Sequence, residues 1–224
     1  MGNKVELFKT LSQYKKELEA KGYNVLYIGL YGSQNYNLSD ENSDVDARAV
    51  VLPTMRQLLT GGTVSKVYDV SNGQVDVKDL VTFVKTLQKG NPAYIESAET
   101  EVHIGDKRVR ELLQGFKVKP MAVYGMEMEK FTAIEKGLPK TAPTVEALGY
   151  DTKQLHHIVR LGKMLDEAFK TGVTPTFQYL EGAERDELMA LKRGDVEDAP
   201  EKVFLITEYL QQFKDKYREG VGQL

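Results

Sequence analysis

Two short apolar runs separated by a polar stretch constrain the fold of the first half of this chain more than any other feature. Tyr23 to Tyr31 is rich in Val, Leu, Ile and Tyr, and Asp46 to Leu52 repeats that character before Pro53 interrupts it. Both have the length and the β-branched and aromatic content of strands, and the first has the profile of a strand buried within a sheet. Gly32-Ser33 ends the first run, and Asn37 to Ser43 is polar and turn-forming. Neither run approaches the length needed to cross a bilayer.

The flanking sequence extends the pattern. Leu7, Leu11, Tyr14 and Leu18 recur at helical spacing before Gly22, which predicts an N-terminal helix. Val64 to Val70 and Gln74 to Lys78 are joined through Asn72-Gly73, the usual signal of a hairpin turn. Leu80, Phe83, Val84 and Leu87 form a helical stripe that ends at Gly90. From Pro120 onward the periodicity is almost entirely helical. Helices are predicted over Met121 to Lys136, Asp151 to Lys170, Ala183 to Arg193 and Pro200 to Arg218. Thr141 to Thr144 and Thr171 to Thr176 are predicted connections. The expectation is an α/β (α+β) fold: a domain of strands and flanking helices over 1–117, followed by a helical domain over 118–224.

Composition removes several function classes. The 224 residues suffice for a sizeable core, and 41% hydrophobic with 28% charged residues excludes wholesale disorder. A net charge of −3 argues against coating nucleic acid by bulk charge. Without cysteine there is no disulfide, thiolate nucleophile or Cys-based metal site. The G-x-S-x-G elbow, the Rossmann fingerprint and the P-loop are also missing. No secretory signal core precedes the first predicted strand, so a soluble cytoplasmic protein is expected.

Chemistry concentrates after the first strand. Gly32-Ser33 is followed by ten polar-loop residues and then Asp44-Val45-Asp46, which leads into the second strand. Residues two apart on a strand share a face, so the two carboxylates project together, roughly 6–7 Å apart. At an effective dielectric near 20 they repel by about 2–3 kcal/mol, which water or a bound cation relieves. Taken alone, such a pair is most often a solvated loop. Here a buried strand delivers Gly32 and Ser33, whose free amides suit a phosphate. The second strand carries the pair into the sheet, and Asp76, between Val75 and Val77, adds a third acid facing away from both valines. Three converging carboxylates suit Mg²⁺, a hard cation usually shared with substrate phosphates, and two such ions stabilise an in-line phosphoryl displacement.

Leu30-Tyr31-Gly32-Ser33, Asp44-Val45-Asp46 and the later Asp76 resemble the signature of the DNA polymerase β-type nucleotidyltransferase superfamily. Ser43 to Arg48, Leu52-Pro53, Val75-Asp76-Val77, Lys89-Gly90-Asn91-Pro92 and Gly149 to Lys153 with His157 and Arg160 are similar to predicted nucleotidyltransferases associated with RNA repair. The chain departs from that pattern in Asp76, where Glu is common, and in Ala47, where a bulkier residue is frequent. The resemblance implies an NTP donor with Mg²⁺ or Mn²⁺, and Gly32 and Ser33 at a helix start binding the β/γ phosphates. It implies a mixed sheet and a catalytic role for the 1–117 domain, with all three acids as metal ligands: Asp44 and Asp46 on one strand, and Asp76, which also assists deprotonation, on a strand antiparallel to it. It also implies Asn91 as a substrate contact, although by residue type Asn91-Pro92 reads as a helix stop.

On the predicted 151–170 helix, Leu155, Ile158, Leu161, Leu165 and Phe169 share one side. Lys153, His156, Arg160 and Lys163 share the other, with His157 beside them. By spacing alone that second side reads equally as a solvated surface or as a functional face. The resemblance implies that Lys153, His157 and Arg160 reach a triphosphate or the acceptor. Adjacent His156 and His157 diverge by about 100° on a helix and so do not share one metal ion. Two functions are therefore expected: transfer of NMP to a hydroxyl on an RNA end, a small molecule or a protein, or a catalytically silent nucleotide-binding regulatory module.

Overall fold

The N-terminal periodicity folds as helix α1 (Lys4–Ala20), with Leu7, Leu11, Tyr14 and Leu18 as its buried stripe. The computed structural model describes residues 4–41, 43–176 and 179–196, and positions 201, 208 and 211. They form two units: one runs to Val118 and also takes Thr176–Leu180; the other takes Lys119–Pro175 and the chain from Glu181. Among the described residues no helix is long and apolar enough to cross a membrane.

The first unit is built on a five-stranded mixed sheet: β1 (Val25–Tyr31), β2 (Asp46–Val51), β3 (Ser65–Val70), β4 (Gly73–Asp79) and β5 (His103–Gly105), in the order β3-β4-β2-β1-β5. On one face Ile28 and Leu30 of β1, Ala47, Ala49 and Val51 of β2, and Val75 and Val77 of β4 pack with the α1 stripe. Helices α4 (Leu80–Gln88) and α5 (Pro92–Glu99) also pack with the sheet. A side chain at Gly29 of β1 would meet the Ser97 carbonyl oxygen of α5 at 2.2 Å, so α5 approaches the sheet only because residue 29 is glycine. Cover on both faces explains why β1 is apolar almost throughout.

One topological expectation is corrected. β4 runs parallel to β2, with Arg48 opposite Asp76, whereas the resemblance implied an antiparallel pair. The reason is the excursion between them. After β2 the chain forms α3 (Met55–Thr60), then β3, and the Asn72-Gly73 turn reverses it into β4, antiparallel to β3. A reversal spent on β3 leaves β4 free to align with β2.

The helix start implied at Gly32-Ser33 is the short α2 (Ser33–Tyr36), whereas α3, α5, β5 and α6 (Lys107–Leu113) were not anticipated. Helix α5 is buried from Pro92 to Ala98, so its sequence carries no polar face and no amphipathic period.

The second unit contains α7 (Pro120–Lys136), α8 (Ala142–Leu148), α9 (Thr152–Thr171) and α10 (Gly182–Arg193), with α7 and α10 both packed on α9. The predicted connection at Thr141–Thr144 instead opens α8, because Pro143 sits in a first turn, where it sacrifices no helical hydrogen bond. The predicted helix over 200–218 lies outside the described residues, apart from three isolated positions.

Candidate active site

Hydrogen bonds to both sides of the Val45 peptide hold the backbone of the Asp44-Val45-Asp46 segment. Val45 is buried, whereas Asp44 is exposed and Asp46 half-buried, as strand alternation requires. The buried Tyr14 hydroxyl of α1 donates to the Val45 carbonyl at 2.9 Å, and the Val45 N–H donates to the Asn72 carbonyl at 3.0 Å. Burial, then the negative charges of Asp46, Glu17 and Asp44, push the Tyr14 phenol well above its ordinary range, so it remains a donor. At Gly73 a Cβ would lie 2.4 Å from the Val45 carbonyl oxygen, so the turn glycine makes room for this segment as well as reversing the chain. The Gln74 N–H donates to Asp46 Oδ1 at 3.2 Å.

Gly32 lies beside Asp46. A Cβ there would sit 3.6 Å from Asp46 Oδ2, and its φ of 79° belongs to glycine. Gly32 precedes α2, whose first residue is Ser33, and the turn is closed by Asn35 N–H to Gly32 O and Leu38 N–H to Ser33 O, both 2.9 Å.

Asp76 is two residues further along β4 than the position beside Asp46, and it faces Arg48, a residue with no role assigned from sequence. The Arg48 guanidinium, 7% exposed, lies 3.6 Å from the Tyr31 ring centroid and 4.0 Å from that of Tyr94. It donates to the Ala93 carbonyl, and its Nε is 3.4 Å from Asp76 Oδ2. The Tyr94 hydroxyl donates to the same Asp76 oxygen, while Lys78 Nζ lies 4.0 Å from Oδ1. Burial pulls the Arg48 guanidinium down, but the fields of Tyr31, Tyr94 and Asp76 outweigh it and hold the charge above its ordinary range. An arginine two places after Asp46, in a run otherwise of Ala and Val, was the sequence signal for this arrangement.

Hard carboxylate oxygens on Asp44 and on Asp46, the latter next to a glycine turn, suit Mg²⁺ or Mn²⁺ by donor chemistry. Asp76 is engaged by Arg48 and Tyr94. Among the described residues no three acidic or histidine side chains are gathered closely enough to hold an ion.

Asn91 begins a helix rather than only ending one: it caps α5, its side-chain oxygen accepting from the Tyr94 N–H at 3.3 Å, with Pro92 in the first turn. In the helical unit, Leu155, Ile158, Leu161 and Leu165 are buried, but Phe169 is 42% exposed. The polar side of α9 is not uniformly solvated. Lys153 is exposed and His157 half-buried, whereas His156 and Arg160 are each 3% exposed. The His156 ring is 3.2 Å from the Thr152 carbonyl; burial first, then Lys192, Arg160 and Lys153, outweigh that contact and depress its pKa to about 4. His157, its ring 4.1 Å from that of His156, is held well below the usual imidazole range by burial and by the neighbouring His156, Arg160, Lys130 and Lys153. Lys163 is paired with Glu187 of α10 at 2.7 Å.

The sequence profile of the RNA repair pathway DNA polymerase beta family matches residues 4–219. No curated protein matches the chain.

Proposed function

Because the chain belongs to the RNA repair pathway DNA polymerase beta family, we propose that it is a metal-dependent enzyme moving NMP from an NTP to a hydroxyl acceptor. The observation that supports this reading is the clamped Asp44-Val45-Asp46 segment, with Val45 buried, Asp44 exposed and the Asp46 carboxylate beside Gly32.

Asp44 and Asp46 would hold Mg²⁺ or Mn²⁺, with Asp76 completing the acidic set. The ion's contribution is to neutralise phosphate charge as it shifts towards the leaving pyrophosphate. Gly32 and Ser33 bind the β/γ phosphates through the turn amides and the Ser33 hydroxyl. The acceptor oxygen bonds to the α-phosphorus, the bond from that phosphorus to the bridging oxygen breaks, and pyrophosphate departs with the electron pair. The acceptor proton passes to Asp76. Asn91 contacts the substrate, and Lys153, His157 and Arg160 offer polar or positive groups to a triphosphate or to the acceptor. The acceptor is a hydroxyl on an RNA end, a small molecule or a protein.

The test is incubation with labelled NTPs, Mg²⁺ or Mn²⁺ and a panel of acceptors including RNA ends. Product formation that Asp44→Asn abolishes, in a variant that retains the wild-type circular dichroism spectrum, is the expected result. Undiminished turnover in Asp44→Asn removes that residue from the mechanism. Metal-dependent NTP binding without product across the panel replaces transfer by nucleotide-binding regulation.

A further inference from the structure

We infer that Arg48 is a built-in competitor for the metal ion at Asp76, so that the third acid is withheld until a nucleotide arrives. This deepens the proposed function and rests on it.

A charge as deeply buried as that of Arg48 persists only when it is paired. Its position is fixed from several directions at once: Tyr31 and Tyr94 stack on the guanidinium, and the Ala93 carbonyl accepts from it. Such a group has little freedom to follow a carboxylate that moves away. The parallel register sets Asp76 directly opposite Arg48, and the Tyr94 hydroxyl holds the same oxygen that faces Arg48 Nε. Asp76 therefore already has a resident cation.

A divalent ion recruits Asp76 only by drawing it off Arg48 and Tyr94. The expected sequence is loading of a cation on Asp44 and Asp46, weakly, with Asp76 joining when a triphosphate brings further charge and ligands. By linkage, nucleotide then tightens metal binding, and metal tightens nucleotide binding, by the same factor.

The probe is Mn²⁺ without nucleotide, titrated by electron paramagnetic resonance of the free ion into the full chain at neutral pH. Arg48→Gln is expected to tighten Mn²⁺ binding roughly ten- to a hundredfold, the equilibrium weight of one charge-assisted hydrogen bond. Tyr94→Phe keeps the ring against Arg48 and removes only the hydroxyl; it should tighten binding by a smaller factor, and it carries the test if Arg48→Gln does not fold. Adding Asp76→Asn to either variant should erase the gain. Unchanged or weaker Mn²⁺ binding in the folded variants overturns the competition, as does a gain that survives Asp76→Asn. If wild type and Asp44→Asn bind Mn²⁺ equally, the metal reading itself fails; if Asp44→Asn alone loses Mn²⁺ while Arg48→Gln and Tyr94→Phe gain nothing, only the competition fails.

Discussion

Replacing Glu127 with Gln is expected to stabilise the helical unit, by an amount that depends on pH in a defined direction. Glu127 lies on α7, is 1% exposed, and has no hydrogen-bond partner for Oε2. A Cβ at Gly162 of α9 would stand 3.2 Å from its Oε1, so the carboxyl sits where α9 offers no side chain. Burial first, and the charge of Asp166 second, push its pKa from 4.5 to about 8. A folded-state pKa above the unfolded value means that the folded state binds the proton more tightly. Stability is therefore complete below about pH 4.5 and is lost as pH rises towards 8. At 1.36 kcal/mol per pKa unit the loss is about 3 kcal/mol at pH 7 and about 5 kcal/mol above pH 8. Gln copies the protonated form and escapes that loss. His156 works in the opposite sense: its depressed pKa makes stability complete above about 6.5 and lost as pH falls towards 4. The two terms together give the wild type a stability maximum between these limits. Subtracting wild type from Glu127→Gln cancels the histidine and leaves the carboxyl. The assay is hydrogen exchange of α7 and α9 amides across this pH range, which reports on the helical unit alone. A difference curve that stays flat between pH 4.5 and 8 would refute the reasoning.

The remaining predictions concern the support of the acid pair. Tyr14→Phe removes a buried donor from the Val45 carbonyl and should cost about 1–3 kcal/mol of stability, measured by urea unfolding. An unaltered midpoint would mean that this carbonyl finds another donor. Gly73→Ala drives a methyl against the Val45 carbonyl oxygen at a φ of 151°, with an expected loss of about 1–3 kcal/mol and a fall in kcat larger than the change in KM. Wild-type kinetics in a folded Gly73→Ala variant would show that the acid pair tolerates displacement of its backbone.

Much of the arrangement was legible locally. The period of Leu7, Leu11, Tyr14 and Leu18 gave away α1 and its buried stripe, and Asn72-Gly73 marked the β3–β4 turn. Alternation around Val45 matches its burial between an exposed Asp44 and a half-buried Asp46, and alternation in β4 leaves Asp76 half-buried between buried Val75 and Val77. Each of these rests on forces between residues a few positions apart, which leave a pattern in the residue order. Helix α5 escaped because burial on every side leaves no period to read. His156 and Arg160 escaped for a related reason: helical spacing tells which residues share a side, but neighbouring elements decide whether that side meets water.

Tertiary structure alone decided what the third acid faces. Residue order made Asp76 a surface-side strand residue, but only the parallel alignment of β4 with β2 set it opposite Arg48. Packing of α5 then supplied the Tyr94 ring and hydroxyl and the Ala93 carbonyl that complete the clamp. Side-chain parity is a property of one strand. The partner of a buried charge depends on strand order, direction and register, which arise from contacts between segments distant along the chain.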